Sequence, residues 1–145
     1  MKAYVFDIDG TIARMGDRLK CIQQEPKDWD SFHARVGEDE PITPMLTLMD
    51  NLNDSDANVV ILTARNEKCR DETMLWIDDH TRGWYCDSDL LMRKEHDYRP
   101  DTIVKPGLLK KAGIEPIVIF EDRNSVVKMW RELGYCCCQP QDGDF

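Results

Sequence analysis

The feature that most constrains the fold is a repeated alternation of short apolar runs with helix-like segments. The apolar runs are typical of buried strands, and apolar residues recur at helical spacing in the segments between them. The runs begin the segment 3–11 and return at 58–62, 90–92, 116–120 and 135–139. Strands that alternate with helices form a parallel sheet with helices on both faces. The sequence therefore predicts an α/β fold with a doubly wound, Rossmann-like parallel sheet.

The length of the chain limits its domain organisation. A chain of 145 residues suits one domain with one core. Residues 12–41 are mixed and polar, and Trp29 and Phe32 indicate one short helix within them. We expect a single domain over residues 1–145, with a small lid-like insertion around 14–41 and a cap that is minimal or absent.

Charge and cysteine content exclude several classes of protein. The formal net charge of -9 argues against a protein that coats nucleic acid through its overall field, although a local basic contact is compatible with it. No apolar run approaches the roughly 18 residues that span a membrane, and the N-terminus lacks the pattern of a secretion signal. The six cysteines lack metal-ligand spacing, so we expect reduced, mostly buried thiols. These features favour a cytoplasmic protein without membrane contact.

Two aspartates directly follow the first apolar run, in the sequence DIDGT. Asp7 can act as a nucleophile, because a carboxylate is ionised near neutral pH and can form an acyl phosphate. Asp9 can protonate a leaving oxygen and then deprotonate water, and the neighbouring carboxylate is expected to raise its proton affinity. Gly10 permits close backbone approach, while Thr11 offers a hydroxyl and an amide to a phosphate group. Taken alone, the motif is also compatible with an acidic turn.

Three further positions suit phosphate chemistry. Thr63 ends the second run, where its hydroxyl can donate to a phosphate oxygen, and Arg65 can clamp the same group. Lys105, at the start of a predicted helix, can neutralise both a nucleophilic carboxylate and a phosphoryl group. Glu121 and Asp122 follow the run 116–120 and can complete an oxygen-only Mg²⁺ site. Each position alone also has a structural interpretation, as a helix cap or a solvated surface charge.

The order of these motifs resembles that of the haloacid dehalogenase-type (HAD) phosphatases. The resemblance covers nearly the whole chain. It implies that Asp7 is the nucleophile, that Asp9 is the general acid and base, and that Thr63 and Lys105 bind the phosphate. The dehalogenases of the superfamily lack the second aspartate, so Asp9 favours phosphate chemistry.

The same resemblance implies a magnesium ion. Asp7, the backbone carbonyl of Asp9 and Asp122 would hold Mg²⁺, and Glu121 would support it through water. Members that enclose small metabolites carry sizeable caps, whereas the intervals between motifs in this chain leave room for a small partial lid. An open crevice would admit a polynucleotide end, but equally a phosphoprotein or a mononucleotide.

A closer resemblance narrows the substrate class. The segments FDIDGTIARMGDR, DTIVK, EDRNSVVKMWRELG and DGDF resemble the 3'-phosphatase domain of phage polynucleotide kinase-phosphatase, a family of nucleic acid repair. This resemblance implies that Arg18 and Arg65 lie near the phosphate or the flanking nucleotide and that Asp101 orients a basic side chain. The P-loop pattern GxxxxGK[ST] does not occur, so no kinase activity is expected. A phage-encoded protein would act in the host cytoplasm.

These observations favour an Mg²⁺-dependent phosphomonoesterase that forms an aspartyl phosphate and removes 3'-phosphates from polynucleotide ends or 3'-nucleotides. A separate kinase or ligase is a candidate partner. Two alternatives stay open: a small-molecule phosphatase such as a 5'-nucleotidase, and a non-catalytic phosphate-binding module. Binding alone would not require both aspartates, which favours catalysis.

Two further sets of residues have open interpretations. Trp29, Phe32, Trp84 and Tyr85 lie in the variable intervals, where they can stack on a base or pack in the core or lid. The acidic run 37–40 would repel nucleic acid. We therefore interpret it as a solvated loop that faces away from the crevice.

Overall fold

The computed structural model describes residues 1–82 and 85–144. Its strands are β1 (Lys2–Phe6), β2 (Ala13–Arg14), β3 (Glu40–Pro41), β4 (Val59–Asn66), β5 (Leu90–Arg93), β6 (Glu115–Phe120) and β7 (Cys137–Cys138). Its α-helices are α1 (Lys20–Gln23), α2 (Trp29–Ala34), α3 (Thr43–Asp54), α4 (Arg70–His80), α5 (Asp101–Ala112) and α6 (Asn124–Glu132). Short 3-10 turns lie at Asp17–Leu19, Val36–Glu38, Glu67–Cys69 and Asp87–Asp89. Five strands form a parallel sheet in the order β5-β4-β1-β6-β7.

Helices cover both faces of this sheet because the central strand is apolar on both sides. Successive side chains of a strand point to opposite faces. Val5 of β1 belongs to a core cluster with Val126 and Trp130 of α6. Phe6, the next residue, belongs to a separate cluster with Met49 of α3 and Trp76 of α4. The predicted doubly wound α/β fold is confirmed.

Two strands differ in length from the sequence prediction. β4 continues past residue 62 to Asn66, and Thr63 still pairs with Met92 of β5. β7 is shorter than the predicted run 135–139, because the amide of Tyr135 donates to the carbonyl of Trp130 in the turn that ends α6. Thr63 therefore lies within a strand.

The cysteines are free thiols, but fewer of them are buried than the sequence suggested. Cys69 and Cys137 are buried, Cys21 is half-buried, and Cys86, Cys136 and Cys138 are exposed. Cys137 and Cys138 differ in exposure because they are neighbours on the edge strand β7, where successive side chains point in opposite directions.

Residues 14–41 leave the core and return through a short antiparallel pair of strands. β2 pairs with β3 through Ala13 with Pro41 and Arg14 with Glu40, and α1 and α2 lie between them. Phe32 of α2 is buried, so this insertion packs against the rest of the chain. In the part of the chain that the structure describes, no helix is both long and apolar enough to cross a bilayer.

Candidate active site

The predicted functional residues meet at one edge of the sheet. Asp7 follows β1, Thr63 lies near the end of β4, and Glu121 follows β6. Because the strands are parallel, their carboxyl ends meet at the same edge, which is where doubly wound folds bind their ligands. A cavity of about 860 Å³, called the crevice below, opens there and is lined by these three residues together with Asp9 and Lys105.

Lys105 joins two of the carboxylates at the base of the crevice. It lies in the second turn of α5, and its Nζ is 2.7 Å from Asp7 Oδ1 and 2.5 Å from Glu121 Oε2. Burial alone would lower the pKa of Lys105, but the charges of Asp7 and Glu121 raise it, so the ammonium stays charged. Burial and the charge of Glu121 raise the pKa of Asp7, while Lys105 lowers it.

The acidic residues of this edge fit a divalent cation. Asp7, Glu121 and Asp122 each offer a carboxylate oxygen within 4.8 Å of the other two. Asp122 Oδ1 is buried and has no hydrogen-bond partner among the described residues, and burial together with the charge of Glu121 raises the pKa of Asp122 to about 7. Three carboxylates around the single ammonium of Lys105 leave excess negative charge. An all-oxygen donor set with that excess is what Mg²⁺ prefers.

Backbone packing holds Asp122 in place. Gly10 has a φ of +87°, and a Cβ at this position would lie 1.9 Å from Asp122 Oδ2. The residues 139–144, called the C-terminal strap below, cover the other side, and a Cβ on Gly143 would lie 2.4 Å from the backbone oxygen of Asp122. The side chain of Gln141 donates to the carbonyl of Gly10. The strap therefore ties the first motif to the last.

Two arginines form hydrogen bonds and ion pairs with Asp9. Nη2 of Arg18 lies 2.5 Å from Asp9 Oδ1, and Nη2 of Arg65 lies 2.7 Å from the same oxygen. Burial opposes ionisation, but the charges of Arg65 and Arg18 lower the pKa of Asp9 to about 2. The expectation of a raised proton affinity for Asp9 is therefore wrong. The two guanidiniums, which come from positions 9 and 56 residues away, outweigh the neighbouring carboxylate.

The same two arginines are bound on another side by Asp39. Its oxygens lie 2.6 and 2.7 Å from Nε and Nη2 of Arg18, and one of them lies 2.8 Å from Nη2 of Arg65. The interpretation of residues 37–40 as a solvated loop is thus wrong at Asp39, which is buried, although Glu40 is exposed. Burial raises the pKa of Asp39, and pairing with the two guanidiniums offsets part of that cost.

The remaining predicted residues divide between the crevice and the layer behind it. Thr63 Oγ1 accepts a hydrogen bond from the amide of Arg65 at 3.1 Å, so its own proton is available to an acceptor in the crevice. Thr11 is fully buried, and its amide donates to the carbonyl of Ile8. Neither Thr11 nor Arg18 lines the crevice.

Asp101 is the first residue of α5 and holds two basic side chains. It accepts hydrogen bonds from Arg93 and, at 2.6 Å, from Nη1 of Arg123. All three residues line the crevice. Asp101 was predicted to orient a basic side chain, but Arg93 was not identified, although its position at the end of β5 is a signal in the sequence.

The aromatic residues of the variable intervals have different environments. Trp29 is 49% exposed and lines the crevice. Phe32 is buried, and its ring lies 4.3 Å from the guanidinium carbon of Arg18. Tyr85 is buried in the core, whereas Trp84 lies outside the described residues. Trp29 is therefore the described aromatic residue of this set that is both exposed and part of the crevice lining.

Comparison with known families identifies the class of this domain. The family of the polynucleotide kinase PNKP phosphatase domain matches residues 1–145. The chain belongs to this family of HAD-type phosphatases. A viral relative from Autographa californica nuclear polyhedrosis virus, named as a bifunctional polynucleotide kinase/RNA ligase, is 30% identical over 139 residues. That match covers 91% of this chain and 18% of the relative.

Solved structures agree with this assignment. A chain of the Pnkp1/Rnl/Hen1 complex shares 28% identity and a TM-score of 0.79, over 99% of this chain and 46% of that chain. The domain thus spans less than half of that chain and about a fifth of the viral relative. The class C acid phosphatase from Bacillus anthracis, with 16% identity and a TM-score of 0.65 over 86% of this chain and 52% of that chain, shares the fold.

Proposed function

We propose that this chain is an Mg²⁺-dependent phosphomonoesterase that removes 3'-phosphates from polynucleotide ends or 3'-nucleotides through an aspartyl phosphate. The main support for the proposal is the contact between Asp7 and Lys105 in the crevice. The carboxylates of Glu121 and Asp122 lie beside this pair. A nucleophile, a fixed cation and a metal-binding set are the groups that phosphoryl transfer requires. Membership of the PNKP phosphatase family supports the 3' end as the substrate.

In the first step, an oxygen of Asp7 attacks the phosphorus and the bond to the 3' oxygen breaks. Lys105 and Thr63 donate to the phosphoryl oxygens, and Asp9 gives its proton to the leaving oxygen. Asp9 must therefore gain a proton first. A phosphate group that approaches Arg65 would favour this gain, because a nearby negative charge raises the proton affinity of a carboxylate.

In the second step, water attacks the phosphorus of the aspartyl phosphate. Asp9, now ionised, takes a proton from that water, the bond between Asp7 and phosphorus breaks, and phosphate leaves. The two arginines favour the ionised form of Asp9 that this step uses. When bound, Mg²⁺ supplies positive charge that lowers repulsion between the phosphate and the carboxylates. Asp7, the carbonyl of Asp9 and Asp122 would hold it, with Glu121 beside them.

The substrate assignment also rests on the shape of the domain. Residues 1–145 act in this proposal as one domain, with the insertion 14–41 as a small lid that leaves the crevice open to a chain end. Trp29 of that insertion would stack on the terminal base. Arg65 and Arg93 would contact the flanking nucleotide or its phosphate, and Asp101 would orient Arg93. The viral relative is named as a polynucleotide kinase/RNA ligase and the solved relative belongs to a Pnkp1/Rnl/Hen1 complex, which supports a separate kinase or ligase as a candidate partner.

A substrate panel tests the proposal. The purified chain is incubated with 3'- and 5'-phosphates on mononucleotides and oligonucleotides, with Mg²⁺ or EDTA, and phosphate release is measured. We expect fastest release from 3'-phosphorylated oligonucleotides, dependence on Mg²⁺, and loss in Asp7→Asn. Equal or faster release from 5'-mononucleotides would overturn the substrate assignment. Tight binding of Mg²⁺ and of 3'-phosphorylated ends without any release would instead indicate a binding module.

A further inference from the structure

We propose that Asp39 is a positioning residue for Asp9, acting through Arg18 and Arg65. This inference rests on the proposed phosphatase function, in which Asp9 protonates the leaving oxygen. Asp39 does not line the crevice, so it is not expected to touch the substrate. Its effect on the reaction passes through the two guanidiniums that bind both aspartates.

The geometry joins the two aspartates through shared atoms. Nη2 of Arg18 binds Asp9 at 2.5 Å and Asp39 at 2.7 Å, and Nη2 of Arg65 binds Asp9 at 2.7 Å and Asp39 at 2.8 Å. Nε of Arg18 adds a second contact to Asp39 at 2.6 Å. The guanidinium of Arg18 is planar, so the two donors that Asp39 fixes determine where its other donors point, and Arg65 adds one further contact to Asp39. Asp39 thereby sets the direction from which Asp9 is held.

Asp39 is itself fixed by the core. Its side chain is 1% exposed, and its backbone carbonyl accepts a hydrogen bond from the indole of Trp76 at 2.8 Å. Trp76 is fully buried in α4. The ring of Phe32 lies against the guanidinium of Arg18 and limits its movement further. Packing against the core therefore fixes Asp39 and Arg18, and through them the position of Asp9, although Asp39 belongs to the insertion.

Charge balance gives Asp39 a second effect on the same residue. Two carboxylates and two guanidiniums form a buried group of zero net charge. Without Asp39, two cations would face the single carboxylate of Asp9. Both guanidiniums could then bind Asp9 in new orientations, since a lost partner leaves buried donors to be satisfied elsewhere. Asp9 would stay paired but would no longer have one fixed direction.

Leaving-group dependence distinguishes a positioning role from a merely structural one. An alkoxide, such as a nucleotide 3' oxygen, needs a proton to leave, whereas p-nitrophenolate leaves readily without one. The single-turnover rate of leaving-group release is measured for wild type and Asp39→Asn with a 3'-phosphorylated oligonucleotide and with p-nitrophenyl phosphate. We expect a loss of about 100-fold for the oligonucleotide, as misplaced groups typically cause, and little change for the aryl ester.

A double-mutant comparison adds an independent readout. If Asp39 acts through Asp9, Asp39→Asn causes no further loss in an Asp9→Asn background. Glu40→Gln is the matched control, because Glu40 is the neighbouring carboxylate, is exposed and pairs with the exposed Arg14. Its rates should match those of wild type. Equal losses for both esters, or additive losses in the double variant, would overturn the positioning role.

Two different results distinguish failure of the proposed function from failure of the role proposed for Asp39. Wild type that hydrolyses neither ester contradicts the proposed function, whereas active wild type with an unchanged Asp39→Asn variant contradicts only the role of Asp39. Thermal unfolding checks the fold of each variant. Should Asp39→Asn fail to fold, Arg18→Lys keeps the charge but removes the fork that joins Asp39 to Asp9. That variant must then show the same leaving-group dependence, and equal losses for both esters would refute the inference.

Discussion

Lys105 is the residue whose positive charge balances the carboxylates of the crevice. Its ammonium is buried and bonds to Asp7 and Glu121, with Asp122 beside them. Carboxylates in such proximity repel one another when ionised. An internal cation and an external one can each relieve this repulsion. The stability of the domain should therefore depend more strongly on Mg²⁺ when the internal cation is removed.

Replacement of Lys105 by methionine tests this dependence. Lys105→Met removes the charge with little change in length, so we expect a lower Tm than that of wild type in EDTA. Addition of Mg²⁺ should raise the Tm of the variant more than that of wild type, because loss of the ammonium should increase Mg²⁺ affinity and the stabilisation grows with the logarithm of that affinity. The kcat should fall by about 10²-fold or more, as loss of one preorganised donor causes.

The exposed lysine Lys128 provides the matched control for this experiment. Its Nζ lies 3.8 Å from Glu132 on the surface of α6, and neither residue lines the crevice. Lys128→Met should leave kcat and the Mg²⁺-induced change in Tm as in wild type. If Mg²⁺ raises the Tm of Lys105→Met and of wild type equally, the ammonium of Lys105 does not relieve the same carboxylate repulsion as the metal.

The residues differ in how well the sequence could predict their environment. Asp7 and Lys105 were predicted to meet, because their motifs fix them to elements that end at one edge of the sheet. The burial of Asp39 and its pairing with Arg18 and Arg65 were not predicted, because charged residues are usually exposed and these partners lie 21 and 26 positions away. Only the path of the insertion decides which of its acidic side chains turns inward.

At the element scale, the C-terminal strap determines how the last motif is held. The amide of Asn124 donates to the carbonyl of Gly143 at 2.9 Å, and Gln139 donates to the backbone oxygen of Asp122 at 2.7 Å. The strap thus lies directly against the loop that follows β6. Its glycine allows an approach that a side chain would prevent, so a small addition there should disturb Asp122.

The variant Gly143→Ala tests the strap. Its new methyl group would lie 2.4 Å from the backbone oxygen of Asp122 and 2.8 Å from Oδ2, so Asp122 or the strap must move. We expect the free energy of unfolding in urea to fall by about 1–3 kcal/mol, the usual cost of overpacking. Mg²⁺ affinity, measured by calorimetric titration, and kcat should both decrease, because Asp122 is a proposed ligand.

Gly107 of α5 offers a control of the same chemistry. A Cβ at Gly107 meets no atom within 4 Å, and the residue is exposed in a helix. Gly107→Ala should raise the free energy of unfolding by up to about 1 kcal/mol through helix propensity and leave Mg²⁺ affinity unchanged. Wild-type Mg²⁺ affinity in Gly143→Ala would mean that the strap does not position Asp122.

The elements themselves were largely predictable, because hydrophobic periodicity reports local burial. The alternation of strands and helices was confirmed, and α5 ends before Gly113, whose φ of +67° is in the left-handed region that favours glycine. The length of β4 was not predicted correctly, because pairing with β5 extends the strand through Thr63. The strap lacks any periodic pattern, and its function as a cover depends on contacts with Gly10 and Asp122 that lie far apart in sequence.

At the scale of the whole molecule, net charge and proposed substrate oppose each other. A chain with a charge of -9 repels a polyanion, so affinity for a nucleic acid end must come from local groups. Trp29 and Lys27 line the crevice together, with Nζ of Lys27 6.0 Å from the indole ring. Stacking is less sensitive to salt than phosphate contacts are. Trp29 should therefore supply a contribution to recognition of the chain end that persists at high salt.

Replacement of this indole should distinguish nucleotide substrates from small phosphate esters. Trp29→Ala removes a stacking surface worth about 1–3 kcal/mol per base, so we expect KM for a 3'-phosphorylated oligonucleotide to rise about fivefold or more. Glycerol phosphate lacks a base, and its kinetic constants should stay unchanged. Trp29→Phe should restore most of the affinity, whereas Leu75→Ala, an exposed apolar truncation outside the crevice lining, should behave as wild type. Equal effects of Trp29→Ala on both esters would show that Trp29 shapes the lid rather than binding a base.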